Sequence, residues 1–136
     1  MSEVVNVAAT LELYARMERG DWDGVAGLLH SDFIFYSNLG EAHPGPDGFV
    51  TSEKKNFDAC PGFRIRVLET VAQGDKLGAY LTIEGRVKEE LLGVKAPGKP
   101  FKFSLFNLFT FKDGLIIEKR AHFDRNFITR QLEASL

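Results

Sequence analysis

Apolar residues recur at helical spacing near the start of the chain and at alternate positions through much of its second half. The first helical stripe comprises Val4, Ala8, Leu11 and Ala15. This spacing predicts a helix that ends at Gly20, a residue that readily takes the conformation needed at a helix end. Asp21 follows and can cap a second helix, whose apolar residues are Val25, Leu28 and Leu29.

The remaining pattern predicts one strand, a third helix, four longer strands and a last helix. The strands are predicted at residues 32–37, 63–73, 77–90, 101–112 and 114–123, and the helices at 45–60 and after Asp124. Turn residues at 73–76 and 112–114 predict hairpins. Residues 93–100 predict a longer, exposed connection. Helices followed by a run of neighbouring strands favour an α+β fold. We expect a single domain over residues 1–136, with a strongly curved antiparallel sheet wrapped over the N-terminal helices.

The composition is that of a globular protein without a strongly charged partner. Of the 136 residues, 44% are hydrophobic and 26% are charged, and the net charge is -2. This balance gives no reason to expect nucleic acid or a membrane as a partner. Cys60 is the single cysteine, and no signal-peptide pattern is present, so a cytoplasmic protein is expected. The histidines lack metal-ligand spacing, and neither a metal nor a cofactor is expected.

The strand "FKFSLFNLFTF" (101–111) is apolar on both of its faces. One face contains Asn107 among large apolar residues, which predicts a buried amide. The other face carries Phe106 and Leu108, which are too apolar for a surface that meets water. We expect these two residues, with Arg120 and His122 of the next strand, to form a homodimer contact.

The inward faces of the strands predict an apolar interior with a few polar tips. The expected ligand-binding residues are Tyr14, Tyr36, Ser37, Tyr80, Thr82, Phe103, Leu105, Phe109, Ala121 and Phe123. Ile117 and Glu84 are also placed on these inward faces. Such a lining is typical of a small-molecule pocket. The alternative is a filled core whose polar groups pair with one another.

Three residues are candidates for chemistry, and each has a simpler interpretation. Asn107 is either a hydrogen-bond donor to a ligand or an amide that bonds to Tyr80 or the backbone. Lys119 is the one cation predicted to point inward, where burial would lower its pKa and allow it to act as a base. It would otherwise reach the cavity mouth or pair with Glu84. His43 is either a mobile acid/base near that mouth or a surface histidine. His30 is assigned a structural role at a helix end.

The order of these segments resembles the nuclear transport factor 2-like superfamily, and within it the SnoaL-like polyketide cyclases. Four segments carry the resemblance: "ERGDWDGVAGLLHSDFIF", "CPGFRIRVLETVAQGDKLGA", "EGRVKEELLGVKAPGKPFKF" and "FKDGLIIEKRAHFD". The resemblance spans nearly the whole chain and implies a cone-shaped domain.

The resemblance implies that the usual cyclase chemistry is missing. In the cyclases the closing strand ends on an aspartate that is the acid/base, and Ala121 occupies that position here. A histidine common in cyclases falls at Val87. Ketosteroid isomerase is a more distant relative. Its base aspartate falls at Ser37 or Asn38, and its protonated second aspartate falls at Asn107. That protonated aspartate is a known example of a neutral carboxylic acid that donates a hydrogen bond. An amide can keep this donor role at every pH.

Two functions are compatible with the sequence. One is a pocket for a small hydrophobic molecule of the polyketide, terpenoid or steroid kind, with or without cofactor-independent isomerase, cyclase or lyase chemistry. The other is a non-catalytic dimeric binding or accessory module.

Overall fold

A computed structural model describes residues 2–37 and 41–134, and it shows an α+β domain. The helices are α1 (Ser2–Glu18), α2 (Trp22–Ala26), α3 (Pro46–Asp58) and α4 (Arg125–Glu133). The strands are β1 (Leu29–Ser37), β2 (Glu41–Pro44), β3 (Arg64–Gln73), β4 (Lys76–Arg86), β5 (Glu90–Leu91), β6 (Val94–Lys95), β7 (Pro100–Lys112) and β8 (Leu115–His122). The predicted helices and the four long strands are confirmed, although α2 ends at Ala26, so that Leu28 and Leu29 lie outside it, and β4 ends at Arg86 rather than at residue 90.

Local residues explain where the helices begin. The side chain of Asp21 accepts a hydrogen bond from the Gly24 amide at the start of α2, at 2.9 Å. Asp124 caps α4 in the same way, through the amide of Phe127 at 3.1 Å. Pro46 occupies the first turn of α3, where its missing N–H costs no hydrogen bond.

The larger sheet has the strand order β2-β1-β8-β7-β4-β3 within the described residues. Strands β3, β4, β7 and β8 form the expected antiparallel run, whereas β1 lies parallel to β8. The sheet is therefore mixed rather than purely antiparallel. Register shifts interrupt three of its pairings, and such bulges bend and twist strands. Helix α1 packs on β3 and β4, and α3 packs on β1, so the helices cover the inner face of the curved sheet.

Three local expectations were wrong. His30 lies in β1 rather than at a helix end, because the strand already begins at Leu29, which pairs with Ile116 of β8. The segment 93–100 is not a plain exposed connection. It contains β6, which forms a small hairpin with β5, and Ala96 within it is 6% exposed. The edge strand β2 was not predicted at all.

No helix in the described ranges is long and apolar enough to cross a bilayer.

Candidate functional site

A row of small side chains crosses the inner face of the sheet. Asn107 of β7 lies between Ala79 of β4 and Ala121 of β8, and Ala121 lies beside Ser37 of β1. Ala79, Asn107 and Ala121 are 0%, 0% and 3% exposed, and Ser37 is partly buried. We call Ser37, Ala79, Asn107 and Ala121 the small-residue row.

Large side chains flank this row on both sides. The next row toward the β7–β8 turn consists of Leu77, Phe109, Lys119 and Phe35. The row on the other side includes Leu81 and Leu105, which pair across β4 and β7. Same-face rows are about 7 Å apart along a strand, because each residue advances the chain by about 3.4 Å. The side chains on the inner face are therefore shortest along the small-residue row.

Asn107 forms a hydrogen bond with Tyr14 of α1. The Asn107 Nδ2 donates to the Tyr14 hydroxyl, and both side chains are buried. Asn107 Oδ1 is also buried, and it has no hydrogen-bond partner among residues 2–37 and 41–134. The Tyr14 ring packs edge-on against Phe109, with 6.2 Å between ring centroids. Burial raises the pKa of the Tyr14 hydroxyl, so this group stays protonated and can donate a hydrogen bond.

Lys119 is the buried cation that the sequence predicts. It is 4% exposed, and its Nζ lies 5.1 Å from the ring centre of Phe35 and 4.9 Å from that of Phe49. Among the described residues, no hydrogen bond or ion pair holds this ammonium. Burial lowers the pKa of Lys119, and the negative charge of Glu53 opposes that shift.

Glu53 is the site residue that sequence reasoning missed. It lies on α3 between Phe49 and Phe57, four residues from each, and both phenylalanines are buried. Residues four apart share one face of a helix, so the partly buried Glu53 side chain lies on the inward face. Burial raises the pKa of the Glu53 carboxyl, and the charge of Lys119 opposes the rise. The charge of Glu53 also helps to raise the pKa of Tyr14.

Tyr14, Asn107 and Lys119 are buried side chains of α1, β7 and β8, and the charge of the partly buried Glu53 on α3 acts on Tyr14 and Lys119. We call these four residues the polar set. Around it the interior is apolar and aromatic. In such surroundings charges interact strongly because water screens them little. The arrangement can donate a hydrogen bond from Tyr14, accept one at Asn107 and exchange a proton with Glu53 or Lys119.

Several predicted lining residues do lie toward the inner face. Leu105 and Phe109 of β7 are buried, and Phe103 is partly buried. Phe123 follows β8 and packs near Phe103, with 6.0 Å between ring centroids. Together with Tyr14, Ser37, Asn107, Lys119 and Ala121, these residues stay candidates for the site.

The inward orientation expected for four residues is wrong. Tyr80, Thr82 and Glu84 belong to the outer face of β4, because the buried side chains of that strand are those of Leu77, Ala79, Leu81 and Ile83. Tyr80 is 41% exposed and pairs with Phe106. Tyr36 also faces outward, where the Arg120 guanidinium lies 3.9 Å from its ring centre. The expected bonds from Asn107 to Tyr80 and from Lys119 to Glu84 are therefore excluded.

Ile117 also differs from expectation, whereas the exposure of His43 agrees with its interpretation as a surface histidine. Ile117 is only partly buried and its neighbour Ile116 is fully buried, because a register shift separates the pairs of Thr110 and Phe111 with β8. His43 is exposed at the sheet edge in β2, and its ring lies 5.8 Å from that of Phe35. Asn38, one of the two positions aligned with the isomerase base, lies outside the described residues.

The outer face of the sheet is apolar, as expected. Phe106 is 48% exposed and Leu108 is 37% exposed, and Tyr80 lies beside them. The Phe106 ring also covers Gly78, where an added Cβ would approach it to 2.8 Å. His122 pairs with Phe106, and Arg120 pairs with Leu108. We call Tyr80, Phe106 and Leu108 the outer patch.

An open groove of about 500 Å³ runs between α1 and β3. Tyr14 contributes to its lining, with Leu11 and Ala15 on the helix side and Ile65 and Val67 on the strand side. Tyr14 therefore connects the groove to Asn107. In the part of the chain that the structure describes, no group of three His, Cys, Asp or Glu side chains could hold a metal ion.

The family model of the SnoaL-like polyketide cyclases matches residues 8–132. The chain belongs to this family. No curated protein matches the chain significantly.

Solved structures share the fold at low sequence identity. A SnoaL-like protein from Jannaschia sp. CCS1 has a TM-score of 0.90 and 22% identity, covering 98% of this chain and 95% of that chain. IdmH from Streptomyces antibioticus has a TM-score of 0.82 and 22% identity, covering 94% and 98% of the two chains. An LEH-like epoxide hydrolase from M. tuberculosis has a TM-score of 0.77 and 19% identity, covering 97% and 92%. These likenesses concern the fold alone.

Proposed function

We propose that this protein binds a small hydrophobic ketone inside the cone and catalyses a cofactor-independent proton transfer, as an isomerase or a cyclase does. The observation that carries the proposal is the polar set, in which Tyr14, Asn107 and Lys119 are buried in an apolar and aromatic interior and the charge of the partly buried Glu53 acts on two of them. Buried polar and charged groups cost stability unless they are fully paired. Groups with shifted pKa values in such surroundings are candidates for function.

Each polar residue has a separate role in this proposal. The Tyr14 hydroxyl donates a hydrogen bond to the carbonyl oxygen of the ligand. Glu53 accepts a proton from the carbon beside the carbonyl, and its raised pKa makes it a stronger base than an ordinary carboxylate. The Lys119 ammonium stabilises the negative charge that develops on the oxygen. Return of the same proton to another carbon completes an isomerisation without a net change in atoms.

The proposal assigns no proton transfer to residue 121. Ala121 has no ionisable group, so the acid/base of the cyclases that the chain resembles is missing. The comparison with an epoxide hydrolase supports only the idea that this fold suits reactions of small molecules.

Hydrogen exchange tests the proposal without knowledge of the natural substrate. The probe is 1-indanone in deuterium oxide, and NMR follows the loss of its α-hydrogens. We expect the protein to accelerate exchange, and Glu53→Gln to reduce the acceleration about a hundredfold or more, as loss of a general base does. Lys119→Met should also reduce the acceleration. Lys102→Met is its matched control, since Lys102 is an exposed lysine on β7. His43→Ala should have no effect. Absence of both binding and exchange would favour the non-catalytic accessory module instead.

We further propose that the outer patch joins two copies of the chain in the cytoplasm. Its apolar side chains are exposed on a sheet face, and Arg120 and His122 lie beside them. A face of this kind is typical of a protein interface. An interface of ordinary size would bury roughly 1,600 Å² in total.

A further inference from the structure

We propose that Phe35 and Phe49 are positioning residues for Lys119. Their ring faces hold the Lys119 ammonium at one place in the interior and keep it charged there. This inference rests on the proposed function, in which that ammonium stabilises negative charge on the oxygen of the ligand. It adds two residues that act on the reaction through Lys119.

The ammonium lies between a ring from the sheet and a ring from a helix. Lys119 of β8 pairs with Phe35 of β1, so the two residues are neighbours on adjacent strands. Phe49 reaches the same point from α3, which packs on β1. Lys119 Nζ lies over both rings, 5.1 Å from the centre of Phe35 and 4.9 Å from that of Phe49. The two ring centres are 5.1 Å apart, so the three groups form a compact triangle.

The ring faces take the place of hydrogen-bond partners for this ammonium. Within residues 2–37 and 41–134, no hydrogen bond or ion pair joins Lys119 to another side chain. The negative face of an aromatic ring attracts a cation, and this attraction is stronger where water is excluded. It therefore favours the charged form of a buried amine. A leucine at either position would fill similar space without this attraction.

The surrounding structure fixes Phe49 and sets a carboxylate beside it. Phe49 is 1% exposed, and its ring packs edge-on against that of Phe33, with 5.2 Å between ring centroids. Glu53 lies one turn further along α3, so the helix presents a ring and a carboxylate on one face. The charge of Glu53 also favours the ammonium form of Lys119. The flexible lysine side chain is thereby held against the helix that carries the proposed proton acceptor.

Two other titratable side chains lie close to this arrangement. Burial raises the pKa of the Tyr14 hydroxyl, so this group stays protonated and adds no charge. His43 of β2 packs against Phe35, with 5.8 Å between ring centroids. A positive charge on His43 would act on the same ring that contacts Lys119, so the titrations below are repeated in the His43→Ala background. The order of the variants should be the same there.

Titration of Lys119 by NMR tests the inference without any ligand. In protein that contains isotope-labelled lysine, the Lys119 signal is the one that Lys119→Met removes. Its midpoint should move to lower pH by about one pH unit in Phe49→Leu and in Phe35→Leu, because each variant removes one ring face from the ammonium. Phe35→Tyr keeps the ring and should keep the midpoint. Phe35 is only partly buried, so this pair of variants serves even if Phe49→Leu does not fold.

Phe101→Leu is the matched control for the loss of a ring. Phe101 is 4% exposed and lies near the start of β7, whereas Phe109, the residue that pairs with Lys119, lies near the end of that strand. This variant should lower stability as the loss of a buried ring does, and it should leave the Lys119 midpoint unchanged.

A second measurement connects the rings to the proposed reaction. The pH above which the protein ceases to accelerate hydrogen exchange of 1-indanone should fall in Phe49→Leu and in Phe35→Leu, and it should stay at the wild-type value in Phe101→Leu. An unchanged Lys119 midpoint in both ring variants would overturn the inference, even in a protein that catalyses exchange. A shifted midpoint without any exchange would support the effect of the rings on Lys119 and overturn the proposed function.

Discussion

Replacing Lys119 with methionine should stabilise the protein while it reduces proton-transfer activity. Lys119 is 4% exposed, and its ammonium lies over the rings of Phe35 and Phe49 without a hydrogen bond to any described residue. Methionine has a similar length and no charge. It can also make favourable sulfur contacts with the same two rings.

The expected gain follows from four contributions. Removing one ammonium from water costs several kcal/mol, on the order of 5. The interactions of Lys119 Nζ with the two aromatic rings, whose centres lie 5.1 and 4.9 Å away, offset this cost by about 1–2 kcal/mol each. The attraction between the charges of Lys119 and the partly buried Glu53 offsets about 1 kcal/mol more. The charge is therefore unfavourable by about 1 kcal/mol, and sulfur–ring contacts in the variant add a few tenths to this difference. We expect Lys119→Met to gain about 1–2 kcal/mol in the free energy of unfolding.

The pH dependence of the free energy of unfolding provides an independent test of this reasoning. The folded pKa of Lys119 is lowered, so between this pKa and the unfolded value of about 10.4 the unfolded chain binds more protons. Stability of the wild-type protein should therefore rise with pH in that window, by up to about 1.4 kcal/mol per pH unit. Lys119→Met should lack this rise, and its advantage should shrink toward pH 10.

Urea unfolding from pH 8 to pH 10 measures both effects, with Lys102→Met as the control. An isolated carboxylate does not titrate between pH 8 and pH 10. In the variant, however, Glu53 loses the positive charge of Lys119, which opposes the rise of its pKa. A loss of more than about 1 kcal/mol in the variant would refute the reasoning. It would mean that Lys119 stabilises the fold through Glu53, as a member of a buried ion pair does.

Three further predictions concern other parts of the molecule. Phe106→Glu should convert the proposed dimer to a monomer in sedimentation at micromolar concentration, because an interface charge would lose water without gaining a partner; a wild-type protein that is already monomeric would contradict the proposed interface. Ala121→Asp should introduce a carboxyl whose pKa is raised by burial, so urea unfolding should show the variant losing stability relative to wild type as the pH rises from 4 to 7. Asn107→Leu removes an unpaired buried acceptor, which favours stability, but it also removes the Nδ2 donor of the buried Tyr14 hydroxyl, which opposes it. We expect the two effects to leave the Tm little changed; a large fall in Tm would identify a structural amide.

Turn residues and the apolar alternation of the long strands were enough to predict most of the fold. The hairpin between β7 and β8 shows why. Asp113 and Gly114 have φ values of 54° and 77°, and this left-handed pair suits Asp-Gly. The parallel pairing of β1 with β8 could not be predicted in this way. It joins strands that are far apart in the sequence, and no local pattern specifies such a partner.

The face of β4 was assigned wrongly because both faces of this strand contain apolar or amphipathic residues. Leu77, Ala79 and Leu81 point inward, but Tyr80 on the outer face is also largely apolar. Side-chain alternation identifies the buried face only when the other face is polar. The apolar outer patch removes that contrast.

Glu53 was missed although a signal was present. Phe49, Glu53 and Phe57 follow one another at intervals of four residues on one helix. Two aromatic residues at this spacing indicate the buried face, and a glutamate between them is therefore directed inward. The adjacent Lys54 and Lys55 obscure this signal, because consecutive lysines are typical of a solvated surface.

The position of the ionisable groups bears on the missing cyclase aspartate. In the cyclases that the chain resembles, the acid/base occupies the position of Ala121, in the same row as Asn107. Here the nearest ionisable side chain on that face of β8 is Lys119, two residues earlier, with Glu53 acting on it from α3. Two residues along a strand correspond to about 7 Å. Under the proposed function, the carbon that loses its proton would lie toward α3, and Ala121 would leave room for the body of the ligand. The loss of one carboxylate then changes where the chemistry takes place in the cone rather than ending it.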